Sequence, residues 1–309
     1  MKALIFGVNG FAGRYLAQEF LNAGYQVYGS DIQRIPVPLQ NVQFKMLDFM
    51  DSEAVFQLVS EVEPDMIVNL AAVSSVGMSW ELPQKTMMIN VVGALNILEA
   101  AKRQSIMSKV LLIGSSEQYQ SSGVPINEQT PLDYNNPYGI SKVAQEQFAK
   151  LYRKQYGLKV YCVRPFNHTG VGQKESFVLA SFCKQAAEIE RSGKTGVIWT
   201  GNLAVERDFC HVKDVVRAYR MILEDGNPDT VYNIGSGKAY WLEKLLKYII
   251  SLCKQEIKIE IMPERIRPAD TPTVCCDYSL LKQELGWKPE YTVFDALKEM
   301  FNHFLESSL

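Results

Sequence analysis

The chain has 309 residues, 47% hydrophobic and 21% charged, with a formal net charge of −2. This is ordinary globular usage, enough for one large domain or a main domain with a smaller lobe. It carries no Lys/Arg run or basic tail, which argues against a nucleic-acid partner, and no segment nears the roughly 18 consecutive apolar residues of a membrane span.

The opening MKALIFGVNG is broken at Gly7 and does not read as a signal peptide. None of the six cysteines forms a C-x-x-C pair, and the three histidines are scattered. Free thiols in a reducing cytoplasm are therefore expected, rather than a disulfide framework or a zinc site.

In chain order, Lys2–Phe6 reads as a buried strand and Phe11–Ala23 as a helix with apolar residues near 3.6 periodicity. Strands follow at Gln26–Gly29 and Val42–Met46, then a helix over Asp51–Val62 capped by Asp51 or Ser52. Met66–Leu70 is a strand, Lys85–Arg103 a long helix, Lys109–Ile113 a strand, Tyr138–Tyr156 a helix and Lys159–Val163 a strand. Mostly apolar strands alternating with helices predict an α/β fold with a doubly wound, Rossmann-type parallel sheet. The alternating strand Val42–Met46 belongs at its edge.

Residues 1–165 are assigned to this dinucleotide-binding domain. Residues 166–309 are read mainly as a smaller substrate-binding lobe. It has helices at Phe177–Glu190, Lys213–Leu223, Leu242–Cys253 and Val293–Leu305, with Val231–Ile234 returning to the sheet.

The first strand runs directly into Gly7-Val8-Asn9-Gly10-Phe11-Ala12-Gly13 and then a helix. Glycines permit the tight turn and the close backbone approach, and the helix N-terminus offers free N–H groups to a pyrophosphate. A plain glycine turn is the alternative; the strand-loop-helix context argues against it. Asp31 ends the second strand, where a carboxylate can accept the ribose hydroxyls of an adenosine. This tilts the choice toward NAD(H), while Arg34 keeps NADP(H) open. Asp48 either faces the adenine or is a surface residue.

The spacing Tyr-x-x-x-Lys occurs three times, at Tyr138/Lys142, Tyr240/Lys244 and Tyr278/Lys282. On spacing alone each pair fits a solvated helix face. Only Tyr138/Lys142 follows a strand that ends in Gly114-Ser115-Ser116-Glu117-Gln118-Tyr119. In a doubly wound sheet that places two hydroxyls and a carboxylate at the ligand edge. Tyrosine alone, with a pKa of about 10, is a poor proton carrier near neutrality. A lysine ammonium one turn away is expected to stabilise the phenolate and lower that value, and a serine hydroxyl to hold the substrate oxygen.

Together these stretches give the chain a family resemblance that covers nearly its whole length. GVNGFAG, NLAAVSSV, INVVGALNILEA, IGSSEQY, NPYGISK, RPFNHTGVGQ, GNLAVERDF and IRPADTPT resemble the extended short-chain dehydrogenase/reductases acting on nucleotide sugars. Within these the chain is most similar to the GDP-4-keto-6-deoxy-D-mannose reductases, with the GDP-mannose 4,6-dehydratases as close relatives. The resemblance implies catalytic roles for Ser115, Ser116, Glu117, Tyr138 and Lys142. It implies cofactor contacts from Gly7, Asn9, Gly10, Phe11, Ala12, Gly13, Asp31, Arg34, Asp48, Phe49, Leu70, Ala71, Ala72 and Asn90, as well as Tyr138 and Lys142. For the nucleotide-diphosphate sugar it implies Ser74, Ser75, Asn167, Phe177, Asn202, Arg207, Arg267 and Asp270. Forked arginine donors suit diphosphate oxygens; surface ion pairs with Glu206 or Glu264 are the alternative. Val171 departs from the family, which places proline there.

Such a family member reduces the 4-keto group of a nucleotide-linked 6-deoxy sugar with NAD(P)H. The alternatives are 4,6-dehydration or 4-epimerisation with internally recycled cofactor, and a non-catalytic dinucleotide sensor. Glu117 suits the base a dehydratase needs. The short chain, and the lack of an Arg-Arg-type loop after the second strand, favour the reductase. The resemblance also implies a homodimer through the long helices Lys85–Arg103 and Tyr138–Tyr156. His303 is expected to be structural or at the surface, Trp80 to be a packing residue or loop lid, and Cys275 and Cys276 to be structural.

Overall fold

The computed structural model describes residues 1–34, 39–104, 108–120, 125–265 and 271–307. Six strands of the first half, β1 (Lys2–Phe6), β2 (Gln26–Asp31), β3 (Val42–Met46), β4 (Met66–Asn69), β5 (Lys109–Ile113) and β6 (Lys159–Pro165), join Val231–Ile234 in one sheet. The order is 231–234, β6, β5, β4, β1, β2, β3, and every pairing is parallel. This is the expected doubly wound sheet. Its order reverses between β1 and β4, which opens a crevice at the carboxyl ends of the strands.

Near-continuous apolar runs such as Ala3-Leu4-Ile5-Phe6 are buried because helices cover both faces. On one face the helices Phe11–Asn22 and Val212–Asp225 pack with Leu16, Phe20, Val215 and Tyr219 in a common core. On the other, Ser52–Val62, Gly93–Arg103 and Pro137–Tyr156 pack with Val55, Ile97 and Ala149. The alternating strand Val42–Met46 is half exposed at the sheet edge, where Lys45 discourages further pairing.

Asp51 caps the helix Ser52–Val62, accepting hydrogen bonds from the N–H groups of Glu53 (3.1 Å) and Ala54 (3.0 Å). Asp51→Ala is expected to cost about 0.5–2 kcal/mol, read from the denaturant midpoint.

Several elements differ from expectation. The helix expected over Lys85–Arg103 begins at Pro83 and holds a π-helical turn at Met88–Val92 before continuing as Gly93–Arg103. Short helices at Val76–Glu81 and Ser279–Leu285 had no periodic signal long enough to show. The second half also contains short strands at Asn167–Thr169, Gly196–Thr200, Glu206–His211, Ala239–Trp241, Ile257–Ile261 and Thr273–Val274. They form small sheets beside a separate core, built around the helices Val178–Ser192, Leu242–Ser251 and Val293–Glu306. Among the described residues, no helix is long and apolar enough to cross a membrane.

Candidate active site

The glycine loop leaves β1 at the crevice. Gly7 has φ of +80°, and a Cβ there would lie 2.8 Å from the backbone N of Ala71, just beyond β4. A Cβ on Gly13 would fall 2.3 Å from the Gly7 carbonyl oxygen, so the helix start can sit this close only without a side chain. Gly10 is the N-cap and supplies no capping side chain, leaving the first-turn N–H groups without a side-chain cap. Asp31 accepts from the Asn9 N–H (3.2 Å), while the Asn9 side chain donates to the Gln33 carbonyl (2.6 Å). Arg34 is exposed near this rim. These residues fit a dinucleotide: open backbone donors for a pyrophosphate, with a carboxylate beside them for a ribose.

The far side of the crevice holds the catalytic candidates. Pro at the first helical position and Asn136 as cap fix the start of the helix Pro137–Tyr156. Asn136 Oδ1 accepts from Gly139 N–H (2.7 Å), and its Nδ2 donates to Glu117 Oε2 (3.0 Å). One side chain therefore both caps the helix and fastens the exposed Glu117. The Ser79 hydroxyl, fully buried, accepts from the Tyr138 N–H (3.2 Å). Ser115 caps the short 3₁₀ turn Ser116–Gln118, its hydroxyl accepting from the Glu117 N–H (3.1 Å). The structure thus joins Ser115, Glu117, Tyr138 and Lys142 in one cluster, with half-buried Ser116 beside them.

The electrostatics differ from the simple expectation. Burial pushes the Tyr138 phenol up to about 12, against a smaller lowering by the Ser115 hydrogen bond and a further rise from Glu117. Burial also pulls Lys142 down to about 7. Its Nζ points to the Ile113 carbonyl (2.8 Å) and to Gln145 Oε1 (3.3 Å), and lies 5.8 Å from the Tyr138 ring centre. Burial is the dominant cause at both groups, and it disfavours the phenolate and the ammonium alike.

Two residues expected to touch the cofactor also make tertiary contacts within the protein. Asn90, in the π-helical turn, is fully buried. It accepts from Val73 N–H (2.8 Å) and donates to Val73 O (3.1 Å) and Ser141 Oγ (2.9 Å). It ties the segment after β4 to the catalytic helix. The Phe49 ring is 8% exposed and fills the space beside Gly93, so only its backbone is left for contact. Asp48 is exposed, and its carboxylate accepts from Met50 N–H (2.9 Å). Leu70, Ala71 and Ala72 follow β4 and are half-buried beside the glycine loop. Ala12 packs against the core, and Phe11 stacks on His168 with ring centres 5.9 Å apart.

The other two Tyr/Lys pairs are structural. Lys244 lies over the Tyr240 ring (5.2 Å), and Tyr278 packs edge-on against Trp287 (5.5 Å).

The family model for GDP-mannose 4,6 dehydratase matches residues 4–300. The chain belongs to the GDP-mannose 4,6-dehydratase family. GDP-6-deoxy-D-mannose reductase of Pseudomonas aeruginosa is 31% identical over 304 residues, 97% of this chain and 96% of that protein. GDP-mannose 4,6 dehydratase 2 of Arabidopsis thaliana is 30% identical, covering 98% of this chain and 87% of that one. The structure of RMD from Pseudomonas aeruginosa complexed with NADPH aligns with a TM-score of 0.84 at 29% identity, over 98% of this chain and 97% of that chain. Family membership makes the chain an enzyme of the extended short-chain dehydrogenase/reductase type.

The substrate-side residues that the family resemblance singled out sit mostly on the second-half strands and loops. Asn167 is exposed at the start of its strand, Phe177 caps the helix Val178–Ser192 at 37% exposure, and Ser74 is exposed while Ser75 caps the helix Val76–Glu81. Asn202 accepts from Ala204 N–H (2.9 Å) in a local turn. Arg207 donates to the carbonyls of Thr271 (2.7 Å) and Glu206 (2.8 Å), bracing the strand Thr273–Val274. Arg267 and Asp270 lie outside the described residues.

Proposed function

We propose that the protein reduces the 4-keto group of a nucleotide-linked 6-deoxy sugar with NAD(P)H, taking GDP-4-keto-6-deoxy-D-mannose to GDP-D-rhamnose. The observation that carries this reading is the placement of Tyr138: a buried phenol at the head of its helix, facing the Ser115 turn that follows β5, with Lys142 one turn along the same helix. Ketone reduction consumes one proton at the carbonyl oxygen, and a loaded acid beside a serine hydroxyl is what that step requires. Similarity to the Pseudomonas aeruginosa reductase supports the same reading.

When bound, the reduced nicotinamide dinucleotide supplies the hydride for C4. Gly7, Gly10 and Gly13 would leave room for its pyrophosphate, and Asp31 would accept from its ribose. Ser115 orients the substrate's C4 oxygen and Tyr138 delivers its proton to that atom. Lys142, where charged, steadies the phenolate left behind. Asp31 tilts the preference toward NAD(H), although the Pseudomonas aeruginosa structure holds NADPH. Residues 1–165 serve as the dinucleotide domain and 166–309 mainly as the sugar-nucleotide lobe. The protein acts in the cytoplasm, for which the six free cysteines are suited. It pairs as a homodimer through the long helices, where Ile140, Leu151 and Tyr156 are 38%, 46% and 52% exposed.

A second reading, 4,6-dehydration, is favoured by one feature. Glu117 is exposed and held by Asn136 at the head of the catalytic helix, where a carboxylate can exchange a proton with a sugar carbon. The test is turnover of a panel of 4-keto nucleotide sugars with NADH and NADPH run separately, beside GDP-mannose without reductant. Reduction should consume the reduced dinucleotide one for one with product. Conversion of GDP-mannose without reductant, lost in Glu117→Gln, would establish the dehydratase instead.

A further inference from the structure

Gln118 lies inside the serine segment, fully buried, and uses both ends of its amide. Its Oε1 accepts from the Ser115 N–H (2.8 Å), and its Nε2 donates to Glu146 Oε2 (3.1 Å). Glu146 follows Tyr138 and Lys142 at four-residue spacing on the same helix, so the three share one buried face. Arg164, at the end of β6, grips the Glu146 carboxylate with two donors, Nε (2.9 Å) and Nη2 (2.8 Å). The two side chains of this ion pair are 5% and 3% exposed. The guanidinium also lies 4.7 Å from the Tyr119 ring centre. A Cβ on Gly114 would fall 2.3 Å from Gln118 Oε1, so the bare backbone there lets the amide fold beneath the loop.

We propose that Gln118 is a positioning residue: it clamps the Ser115 backbone to the catalytic helix through the Glu146–Arg164 pair, and so sets the aim of the Ser115 hydroxyl. The proposal rests on the reading of the site as a ketone reductase. The serine segment is then fastened to the helix at two points, Glu117 to Asn136 at its start and Gln118 to Glu146 further along. Replacing Gln118 with an apolar residue of similar length strands a buried N–H and removes one donor from Glu146. The loop relaxes to satisfy the amide, and a shift of even about 1 Å at the reacting geometry costs up to about 10²-fold in rate.

The experiment compares Q118M with wild type, each also in an S115A background. Q118M should lower kcat by about tenfold or more and leave KM for the nucleotide sugar and Kd for the reduced dinucleotide nearly unchanged. In S115A the same substitution should have little further effect, because no hydroxyl remains to be aimed. Equal losses in both backgrounds, or an unchanged kcat in folded Q118M, would overturn the proposal. If Q118M does not fold, Q118E takes its place: the acid should recover activity as pH falls, when its protonated carboxyl again donates to Glu146, and a pH profile parallel to wild type overturns the clamp. Hydrogen exchange decides independently of the substrate. Segment 114–119 should lose protection in the Gln118 variant while helix 137–156 keeps it, and unchanged protection overturns the clamp even if wild type reduces no sugar and the reductase reading itself fails.

Discussion

Tyr138→Phe is expected to lower turnover by about 10²–10⁴-fold, the usual contribution of a positioned general acid, while dinucleotide binding changes little. The ring is 8% exposed and the Tyr138 N–H is held by Ser79, so the substitution removes the proton but keeps the packing. The loss should fall on kcat and on kcat/KM alike, since the proton moves only in the transition state. Single-turnover kinetics beside a thermal melt would check it. A variant that stays within about fivefold of wild type would mean that another acid, with Glu117 the nearest candidate, protonates the sugar oxygen.

Arg164→Met is expected to destabilise the protein by about 3–5 kcal/mol, because it leaves Glu146 buried with its main partner gone. Lys150 (3.1 Å) and Gln118 still reach that carboxylate, which places the cost toward the lower end. Glu146→Met combined with Arg164→Met should recover most of the loss, since apolar packing replaces a pair whose desolvation was costly. Denaturant midpoints of the single and double variants give the answer. Additive losses would show that the pair is not a unit.

The architecture was legible where local chemistry agrees with tertiary structure. Apolar strands between amphipathic helices predict β1 to β6, and the glycines at residues 7, 10 and 13 mark the crevice. Tyr138 and Lys142 stood out because a serine-ended strand precedes them.

What stayed hidden depends on partners distant in sequence. Glu206–His211 forms a strand that was not among those expected, with Asp208 fully buried and accepting from Ser236, Gly237 and Cys276. A carboxylate satisfied in this way has no periodic signature. The hydrogen bonds of Asn90 to Val73 and Ser141, which join two elements distant in sequence, leave no mark on the local pattern. The expected lowering of the Tyr138 pKa assumed that four-residue spacing aims Lys142 at the phenol. Spacing places two side chains on one face but does not orient them, and the Ile113 carbonyl takes the ammonium instead.

The most direct test of the central claim is absorbance of reduced dinucleotide during incubation with GDP-4-keto-6-deoxy-D-mannose. The account predicts stoichiometric loss of NADH or NADPH, matched by a GDP-linked 6-deoxyhexose product and abolished in Tyr138→Phe. No loss with either dinucleotide, in a folded preparation that binds them, would contradict it.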